Sequence, residues 1–293
     1  MTSMSGTVPV LRRVADLRAQ VKTWRAAGDT VALVPTMGAL HEGHIALVRA
    51  AKSRCRRAVV SIFVNPAQFA PHEDFASYPR DEAGDNAKLA RVGTDLVWSP
   101  DRSEMYPEGF ATRIVPAGAA EGLETDFRPH FFGGVATVCC KLFTQVAPDI
   151  AVFGEKDYQQ LCVVKQMVRD LDLPLEIVGI PTVREPDGLA MSSRNAYLSP
   201  EQRAVAPALY QVITKVAETA AEGGVIAGAV AEGNAKLAAA GFKVDYLEVR
   251  DAETLRAVPP GAQRPLRVLV AAWLGKTRLI DNVGVEHPLP PAL

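Results

Sequence analysis

Two histidines, His41 and His44, have the residue type and spacing most suited to chemistry in this sequence. They lie between an apolar run at residues 31–34, which is typical of a buried parallel strand, and a second apolar run from Ile45, which is typical of a helix. We therefore expect the imidazoles at the carboxyl end of a strand and the amino end of a helix. Parallel α/β sheets bind ligands at that edge, and the free N–H groups of a helix N-terminus favour an anion. The pattern predicts a phosphate site.

The residues around the histidines leave other kinds of site to consider. Gly38 and Gly43 have the spacing of a Walker A loop, but His44 and Ile45 occupy the positions where that motif needs Lys and Ser or Thr. A zinc site of the metalloprotease type needs two histidines at i,i+4, and no further His or Cys cluster supplies a third ligand. Metal binding and a loop with two solvated histidines remain alternatives, and phosphate binding is favoured.

Composition excludes several classes of protein. The 293 residues suffice for one large or two ordinary domains, and 48% apolar with 22% charged residues is typical of a soluble globular protein. Lys plus Arg number 32 against 33 acidic residues, so there is no basic field to hold nucleic acid or an anionic membrane. The apolar runs are too short to cross a bilayer and the first residues lack an export signal, so we expect a cytoplasmic protein. The four cysteines show neither C-x-x-C spacing nor a disulfide framework.

The alternation of strand and helix patterns predicts an α/β fold with a doubly wound, Rossmann-like parallel sheet over residues 1–182. Residues 181–188 are rich in Pro, Gly and charge, and we interpret them as a hinge. Residues 183–293 are predicted to form a smaller α+β domain. The predicted strands are 31–34, 59–64, 95–98, 150–153, 176–180, 244–249, 267–273 and 277–281, and the predicted helices are 14–24, 45–52, 81–92, 135–146, 157–171, 200–221 and 225–240.

Four polar segments follow predicted strands or the hinge, and in principle they converge. They are residues 37–44, 65–68, 154–160 and 191–195. Their side chains include two His, one Lys, one Arg and the amides of Gln68 and Gln160, which suit a polyanion next to a small polar substrate. The sequence therefore predicts a nucleotide site with an adjacent substrate site.

These segments carry a resemblance. His41-Glu42-Gly43-His44 resembles the HxGH signature of the nucleotidyltransferase superfamily, and Met191-Ser192-Ser193-Arg194 resembles its KMSKS-type mobile loop with Lys replaced. Five motifs in order within residues 31–198 resemble the pantothenate synthetase family. They are Pro35-Thr36-Met37-Gly38, Val64-Asn65-Pro66-Ala67-Gln68-Phe69, Tyr78-Pro79-Arg80-Asp81, Gly154-Glu155-Lys156-Asp157-Tyr158-Gln159-Gln160 and Met191-Ser192-Ser193-Arg194-Asn195.

The resemblance implies a homodimeric, ATP-dependent ligase that joins (R)-pantoate to β-alanine through a pantoyl adenylate, releasing AMP and pyrophosphate. It also implies Gln68 and Gln160 at pantoate, Gln68 near β-alanine, Asp85 near Mg²⁺, and His44 as proton donor. The residues that it places around ATP are Met37, Gly38, Ala39, Leu40, His41, Glu42, Gly43, His44, Gly154, Glu155, Lys156, Asp157, Val183, Met191, Ser192, Ser193 and Arg194.

The chemistry of such a reaction assigns roles to these groups. When a carboxylate attacks the α-phosphorus, charge moves to the leaving pyrophosphate, so we expect Lys156, Arg194 and the two histidines to donate to it, with Mg²⁺ neutralising the outer oxygens. Ser192 and Ser193 lack a G-x-S-x-G elbow, so contact with phosphate is favoured over acyl-enzyme chemistry. The smaller domain is expected to act as a lid that brings residues 191–195 over the triphosphate and shields the adenylate from water.

Alternatives remain at this stage. A nucleotidyltransferase that releases an adenylylated product would use the same motifs, and a nucleotide-sensing or RNA-binding module is a third hypothesis, although balanced charge argues against RNA. Lys156 as a surface ion-pair partner and Asp85 as a solvated helix residue are the simpler interpretations. His130 lies one position earlier than the His of the family's R-x-x-H-F-x-G-V segment, so no role is carried onto it.

Overall fold

The computed structural model describes residues 6–70, 75–259 and 264–286 and contains one parallel and one antiparallel sheet. The parallel sheet has the strand order β1-β4-β3-β2-β5-β6. Its elements, in chain order, are β1 (Val10–Leu11), α1 (Val14–Ala26), β2 (Val31–Thr36), α2 (Glu42–Arg54), β3 (Arg57–Ile62), α3 (Glu82–Arg91), β4 (Leu96–Trp98), α4 (Arg102–Met105), α5 (Glu124–Phe127), α6 (Phe131–Val146), β5 (Ile150–Gly154), α7 (Tyr158–Asp170) and β6 (Glu176–Ile180).

The strand order reverses between β2 and β5, which lie side by side at the centre of the sheet. From β2 the chain proceeds outward to β3 and β4, whereas from β5 it proceeds outward to β6 on the other side. Loops leave such a switch point in opposite directions, so a crevice opens at the carboxyl ends of the two strands. The histidine loop follows β2, and the Lys156 segment follows β5.

Helices cover both faces of this sheet, which is why β2 is a continuous apolar run. Val31 and Leu33 pack in a cluster with residues of α1, α6 and α7. Ala32 and Val34 point to the opposite face and pack in a cluster with α2 and α3. Strands of a parallel sheet that are buried on both faces lack the alternation of polar and apolar residues.

The smaller domain is a three-stranded antiparallel sheet with helices on one face. On β8 (Leu266–Leu274), Val268 and Val270 pack with the helices, whereas Leu269 and Ala271 join the core cluster of the parallel-sheet domain. The second face of the small sheet is therefore buried against the larger domain. The elements are α8 (Pro200–Val205), α9 (Ala208–Ala221), α10 (Ile226–Ala239), β7 (Phe242–Asp251), β8 (Leu266–Leu274) and β9 (Thr277–Val285).

The predicted α/β class and the smaller α+β domain are confirmed, with local corrections. The single helix expected at residues 200–221 is two helices, because Pro207 has no N–H to continue the first one. Strand β1 was not predicted, since its two residues are too short to show a period. The predicted strand 59–64 ends at Ile62, and the predicted strand 277–281 continues to Val285. Among the described residues, no helix combines the length and apolarity needed to cross a membrane.

Candidate active site

The two histidines cap the first turn of α2. His41 is the N-cap residue, and its Nδ1 accepts a hydrogen bond from Gly43 N at 3.2 Å. His44 Nδ1 accepts from His41 N at 3.3 Å, and the two ring centroids are 4.1 Å apart. The imidazoles thus take the parts that Ser or Thr and Glu or Gln play in an ordinary capping box. Because each Nδ1 is an acceptor, the geometry assigns the ring proton to Nε2.

Burial keeps both rings neutral. It lowers the pKa of His41 to about 4, with a smaller contribution from the positive charge of Lys156. It lowers the pKa of His44 to about 3, with smaller contributions from His41 and Lys156. At neutral pH each ring therefore offers an Nε2–H donor without a positive charge.

The loop before His41 is held in place by α3. Leu40 N donates to Asp85 Oδ1 at 2.8 Å, and Lys88 Nζ donates to Leu40 O at 2.7 Å. Gly38 has a φ of +85°, and a Cβ there would lie 3.2 Å from Asp85 Oδ2, so glycine serves both the backbone conformation and the close approach. The loop conformation therefore depends on a carboxylate 45 residues away from Leu40 in sequence.

Asp85 is a buried residue of α3. It is 1% exposed, so the interpretation as a solvated helix residue is wrong, and its side chain does not line the cavity described below. The reason is that its carboxylate bonds to Leu40 N and lies 3.6 Å from Lys88 Nζ. Within residues 6–70, 75–259 and 264–286, no group of three or more His, Cys, Asp or Glu side chains is placed to hold a metal ion. A metal role for Asp85 stays a prediction.

Lys156 lies in a short 3-10 turn, Glu155–Asp157, at the carboxyl end of β5. Its side chain is 20% exposed, and its Nζ is 3.9 Å from Asp157 Oδ2. At that distance the pair is at the limit of an ion pair and contributes little. Glu155 points away from the cavity and bonds to Arg267 at 3.0 Å.

Gln68 is buried at the carboxyl end of β3. Its Oε1 accepts from Asn65 Nδ2 at 2.9 Å, and Asn65 Oδ1 in turn accepts from Tyr106 Oη at 2.8 Å. Arg128 Nη2 donates to Gln68 O at 3.1 Å. Sequence reasoning assigned no role to Asn65, Tyr106 or Arg128. Only Asn65 had a local signal, the Asn-Pro turn after a strand.

The segment after the predicted hinge closes the other side of the site. Ser192 Oγ accepts from Arg194 N at 3.3 Å, which caps the 3-10 turn Ser193–Tyr197. Ser193 Oγ lies 3.4 Å from Tyr78 Oη, a contact between the two domains. The loop is thus presented to the parallel-sheet domain from the side of the smaller domain.

One cavity of about 1030 Å³ joins all four segments. Five of the predicted ATP-site residues do not line it and instead lie within or beside the loops: Gly38, Ala39, Leu40, Glu42 and Glu155. His130 is exposed and does not line it either. The predicted site residues in its wall are Met37, His41, Gly43, His44, Gln68, Gly154, Lys156, Asp157, Gln160, Val183, Met191, Ser192, Ser193 and Arg194.

The cavity lies at the switch point of a parallel sheet, beside a helix N-terminus, and its wall holds neutral imidazole donors together with the cationic Lys156 and Arg194. This arrangement is that of a nucleotide-binding α/β enzyme. A model of the pantoate-beta-alanine ligase family matches residues 9–284. The chain belongs to that family.

Relatives agree along nearly the whole length. The chain is 60% identical over 283 residues to a pantothenate synthetase of a Bradyrhizobium species, covering 96% of this chain and 100% of that protein. It is 59% identical over 280 residues to a pantothenate synthetase of Rhodopseudomonas palustris, covering 95% and 97%. The protein is an ATP-dependent ligase that condenses pantoate with β-alanine.

Solved structures agree as well. A pantothenate synthetase from Thermus thermophilus matches with a TM-score of 0.89 at 48% identity, covering 96% of this chain and 100% of that one. A pantoate-beta-alanine ligase from Francisella tularensis, solved in complex with beta-gamma ATP and beta-alanine, matches with a TM-score of 0.79 at 32% identity, covering 94% and 97%.

Proposed function

We propose that the condensation runs in two steps within this one cavity. In the first step a carboxylate oxygen of (R)-pantoate attacks the α-phosphorus of ATP, the bond to the bridging oxygen breaks, and pyrophosphate leaves. In the second step the amine of β-alanine attacks the acyl carbon of the pantoyl adenylate, loses a proton, and displaces AMP. The observation that carries the proposal is the convergence of the two histidines, Lys156, the Ser192–Arg194 segment and both glutamines on a single cavity.

The triphosphate is assigned to the histidine side of the cavity. The N-terminus of α2 presents the partial positive charge of the helix dipole to an anion. The Nε2–H groups of His41 and His44 add two neutral donors, and Lys156 and Arg194 add positive charge. The low pKa of His44 favours a role as hydrogen-bond donor to phosphate over a role as proton-donating acid. Donors held before the reaction starts stabilise the charge that develops on the leaving group.

Pantoate and β-alanine are assigned to the glutamine side. Because Asn65 holds Gln68 Oε1, the Gln68 amide is oriented with its NH₂ group as the donor for a substrate oxygen. Gln160 lies in the first turn of α7 and lines the same cavity. The Francisella tularensis relative in complex with beta-gamma ATP and beta-alanine supports nucleotide and amine sites in this fold.

Mg²⁺ fits this site as part of the nucleotide substrate. The described residues supply no cage of carboxylates, and Asp85 is already bonded to Leu40 and Lys88. Magnesium commonly keeps several waters and binds through substrate phosphates with one or two carboxylates. We therefore propose that it enters as MgATP, where it neutralises phosphate charge, while Lys156 and the histidines bind the oxygens on the protein side.

Shielding of the adenylate is assigned to the smaller domain. We propose the domain boundary at residues 182/183 and a lid role for the smaller domain, because the Met191–Asn195 segment lies on the rim of the cavity next to Tyr78. A homodimer and a cytoplasmic location stay predictions from the resemblance and the sequence. Light scattering of the purified protein tests the first of these.

Exchange of labelled pyrophosphate into ATP tests the two-step reaction. With MgATP and pantoate but no β-alanine, the protein should catalyse exchange that depends on pantoate, because the first step is reversible. With β-alanine added, AMP and pyrophosphate should form in equal amounts. Lys156→Ala should reduce both rates by about 10²-fold, whereas Lys236→Ala, an exposed lysine on α10 paired with Glu232, should not. Absence of exchange contradicts the adenylate, and a stable adenylyl product released in the absence of β-alanine indicates a nucleotidyltransferase instead.

A further inference from the structure

We propose that Asn282 of β9 is a positioning residue for Lys156, and that the adjacent Asp281 anchors the loop that carries Ser192 and Arg194. The inference rests on the role proposed above for Lys156. It gives the smaller domain a task beyond that of a lid, since one strand of that domain sets where two active-site loops lie relative to each other.

Asn282 bonds directly to the turn that holds Lys156. Its Nδ2 donates to Glu155 O and to Lys156 O, each at 2.9 Å, and the residue is 3% exposed. Its Oδ1 accepts from Arg267 Nε at 2.7 Å. The amide orientation is thereby fixed, because two carbonyls need a donor and a guanidinium needs an acceptor. A carboxylate of the same shape could satisfy Arg267 but not the two carbonyls.

Arg267 holds the same turn from a second direction. Its Nη2 donates to Glu155 Oε2 at 3.0 Å, and its guanidinium lies 3.8 Å from the ring centroid of Tyr158. Glu155 is the first residue of the short turn that contains Lys156, and Tyr158 directly follows its last residue. Residues of the smaller domain thus hold the turn at three points: its backbone carbonyls, Glu155 and Tyr158.

Asp281 extends in the opposite direction, as neighbouring residues of a strand do. It forms a bidentate ion pair with Arg184, at 2.6 and 3.0 Å. Arg184 pairs with Ala190 through a β-bridge, and Met191 N donates to Val183 O at 3.0 Å. These bonds form the base of the loop that reaches the cavity at Ser192. Consecutive residues of β9 therefore hold both loops.

The consequence for catalysis is geometric. A donor stabilises a transition state only when it is held within a fraction of an ångström of its position, and a misplacement of about 1 Å costs about 10²-fold in rate. Lys156 lies on a short turn whose ion pair with Asp157 is weak, so the bonds from Asn282 are the stronger constraint on its backbone. Loss of these bonds should slow the chemical step more than it weakens substrate binding.

A double-mutant cycle tests the inference. Asn282→Asp keeps the shape and the Arg267 partner but removes both donors, and it should lower kcat about 10- to 100-fold with little change in the KM for β-alanine. In a Lys156→Ala background the same substitution should cause no further loss, because the group that it positions is absent. Asn234→Asp is the matched control, since Asn234 Nδ2 also donates to a backbone carbonyl, Val230 O, on α10, and neither residue lines the cavity.

Each outcome of the cycle decides a separate point. A Lys156→Ala enzyme with normal kcat contradicts the proposed role of Lys156, and the inference falls with it. If Lys156→Ala is slow but Asn282→Asp slows both backgrounds by the same factor, the proposed function stands and the inference is overturned. Normal kcat in Asn282→Asp also overturns it. Circular dichroism at the assay temperature establishes that each variant is folded, and Asn282→Ser supplies the same cycle if Asn282→Asp does not fold.

Discussion

Three substitutions of His44 separate its role as a helix cap from its role as a hydrogen-bond donor to phosphate. In His44→Asn the side-chain oxygen reaches the position of Nδ1, so it can accept from His41 N, but nothing replaces Nε2–H. In His44→Gln the amide has an acceptor and a donor with the separation of the two ring nitrogens. In His44→Ala both groups are lost.

The expected magnitudes follow from the geometry. Loss of one preorganised donor costs about 10² to 10³ in rate, or about 3 to 4 kcal/mol of transition-state stabilisation. The cap bond is 3.3 Å long, beyond the usual range, so its loss should cost only about 0.5 kcal/mol, the lower limit for a helix cap. We expect kcat to fall by about 10² to 10³ in both the Asn and Ala variants, and to recover at least about tenfold of this in the Gln variant. A loss of this size in rate cannot arise from the small loss in stability.

The assay combines pantoate-dependent pyrophosphate exchange with urea unfolding of the same samples. Rescue by Gln has a second meaning, since an amide does not ionise. It can replace a neutral hydrogen-bond donor but not an acid that gives up a proton. A Gln variant no faster than the Asn variant would therefore return His44 to the role of proton donor, and an Asn variant with a normal rate would refute its contact with phosphate altogether.

Three further predictions concern the residues around the site. His41 and His44 should stay neutral down to about pH 4 and pH 3, so the unfolded chain binds more protons below pH 6.5 and the free energy of unfolding falls as the pH is lowered from 6.5 towards 4. Histidine NMR titration of the free protein measures the two pKa values, and a midpoint near 6.5 for either ring would contradict the prediction. Gly134→Ala would place a Cβ in a clash with Ala67 O, in the turn that carries Gln68, so it should raise the KM for pantoate, whereas Gly133→Ala, with its nearest neighbour at 3.5 Å, should not. An unchanged KM in the Gly134→Ala variant would show that the turn adapts. Asp85→Ala leaves the buried N–H of Leu40 unpaired and should lower the free energy of unfolding by about 1 to 3 kcal/mol in urea titrations, with no change in the Mg²⁺ concentration that gives half-maximal rate. A shift in that Mg²⁺ concentration would indicate that Asp85 acts near the metal ion.

The parts of the site that could be predicted from the sequence are those determined by local pattern. The apolar run of β2 and the polar loop that follows it in sequence predict where the strand ends. The position of His41 just before an apolar helical pattern predicts the helix N-terminus. The switch point depends on the order of the strands in the folded sheet, which no local sequence pattern indicates. What could not be predicted are contacts between distant segments, such as Asp85 with Leu40. On α3 alone, Asp85 has the polar neighbours of a solvated residue, so no local rule indicates its burial.

Asn282 was missed for a related reason. The predicted strand ended at residue 281, because a polar Asp-Asn pair is typical of a strand terminus. The structure continues β9 to Val285, because both side chains find buried partners in place of water: Asp281 pairs with Arg184 of the smaller domain, and Asn282 bonds across the domain boundary to Glu155. A rule that treats polar pairs as exposed fails where two domains share a buried interface.

The same contacts restrict how the smaller domain can close over the cavity. Leu269 and Ala271 of its sheet share a core cluster with the larger domain, and Asn282 is bonded to the backbone of the Lys156 turn. A domain that lifted away as a free lid would have to break this buried surface and pull Lys156 with it. The Ser193–Tyr78 contact, at 3.4 Å, is by comparison long and lies at the rim. Closure of the proposed lid is therefore expected as a rotation about the β9 contact, which keeps Lys156 in place while the Ser193 edge moves against the substrates.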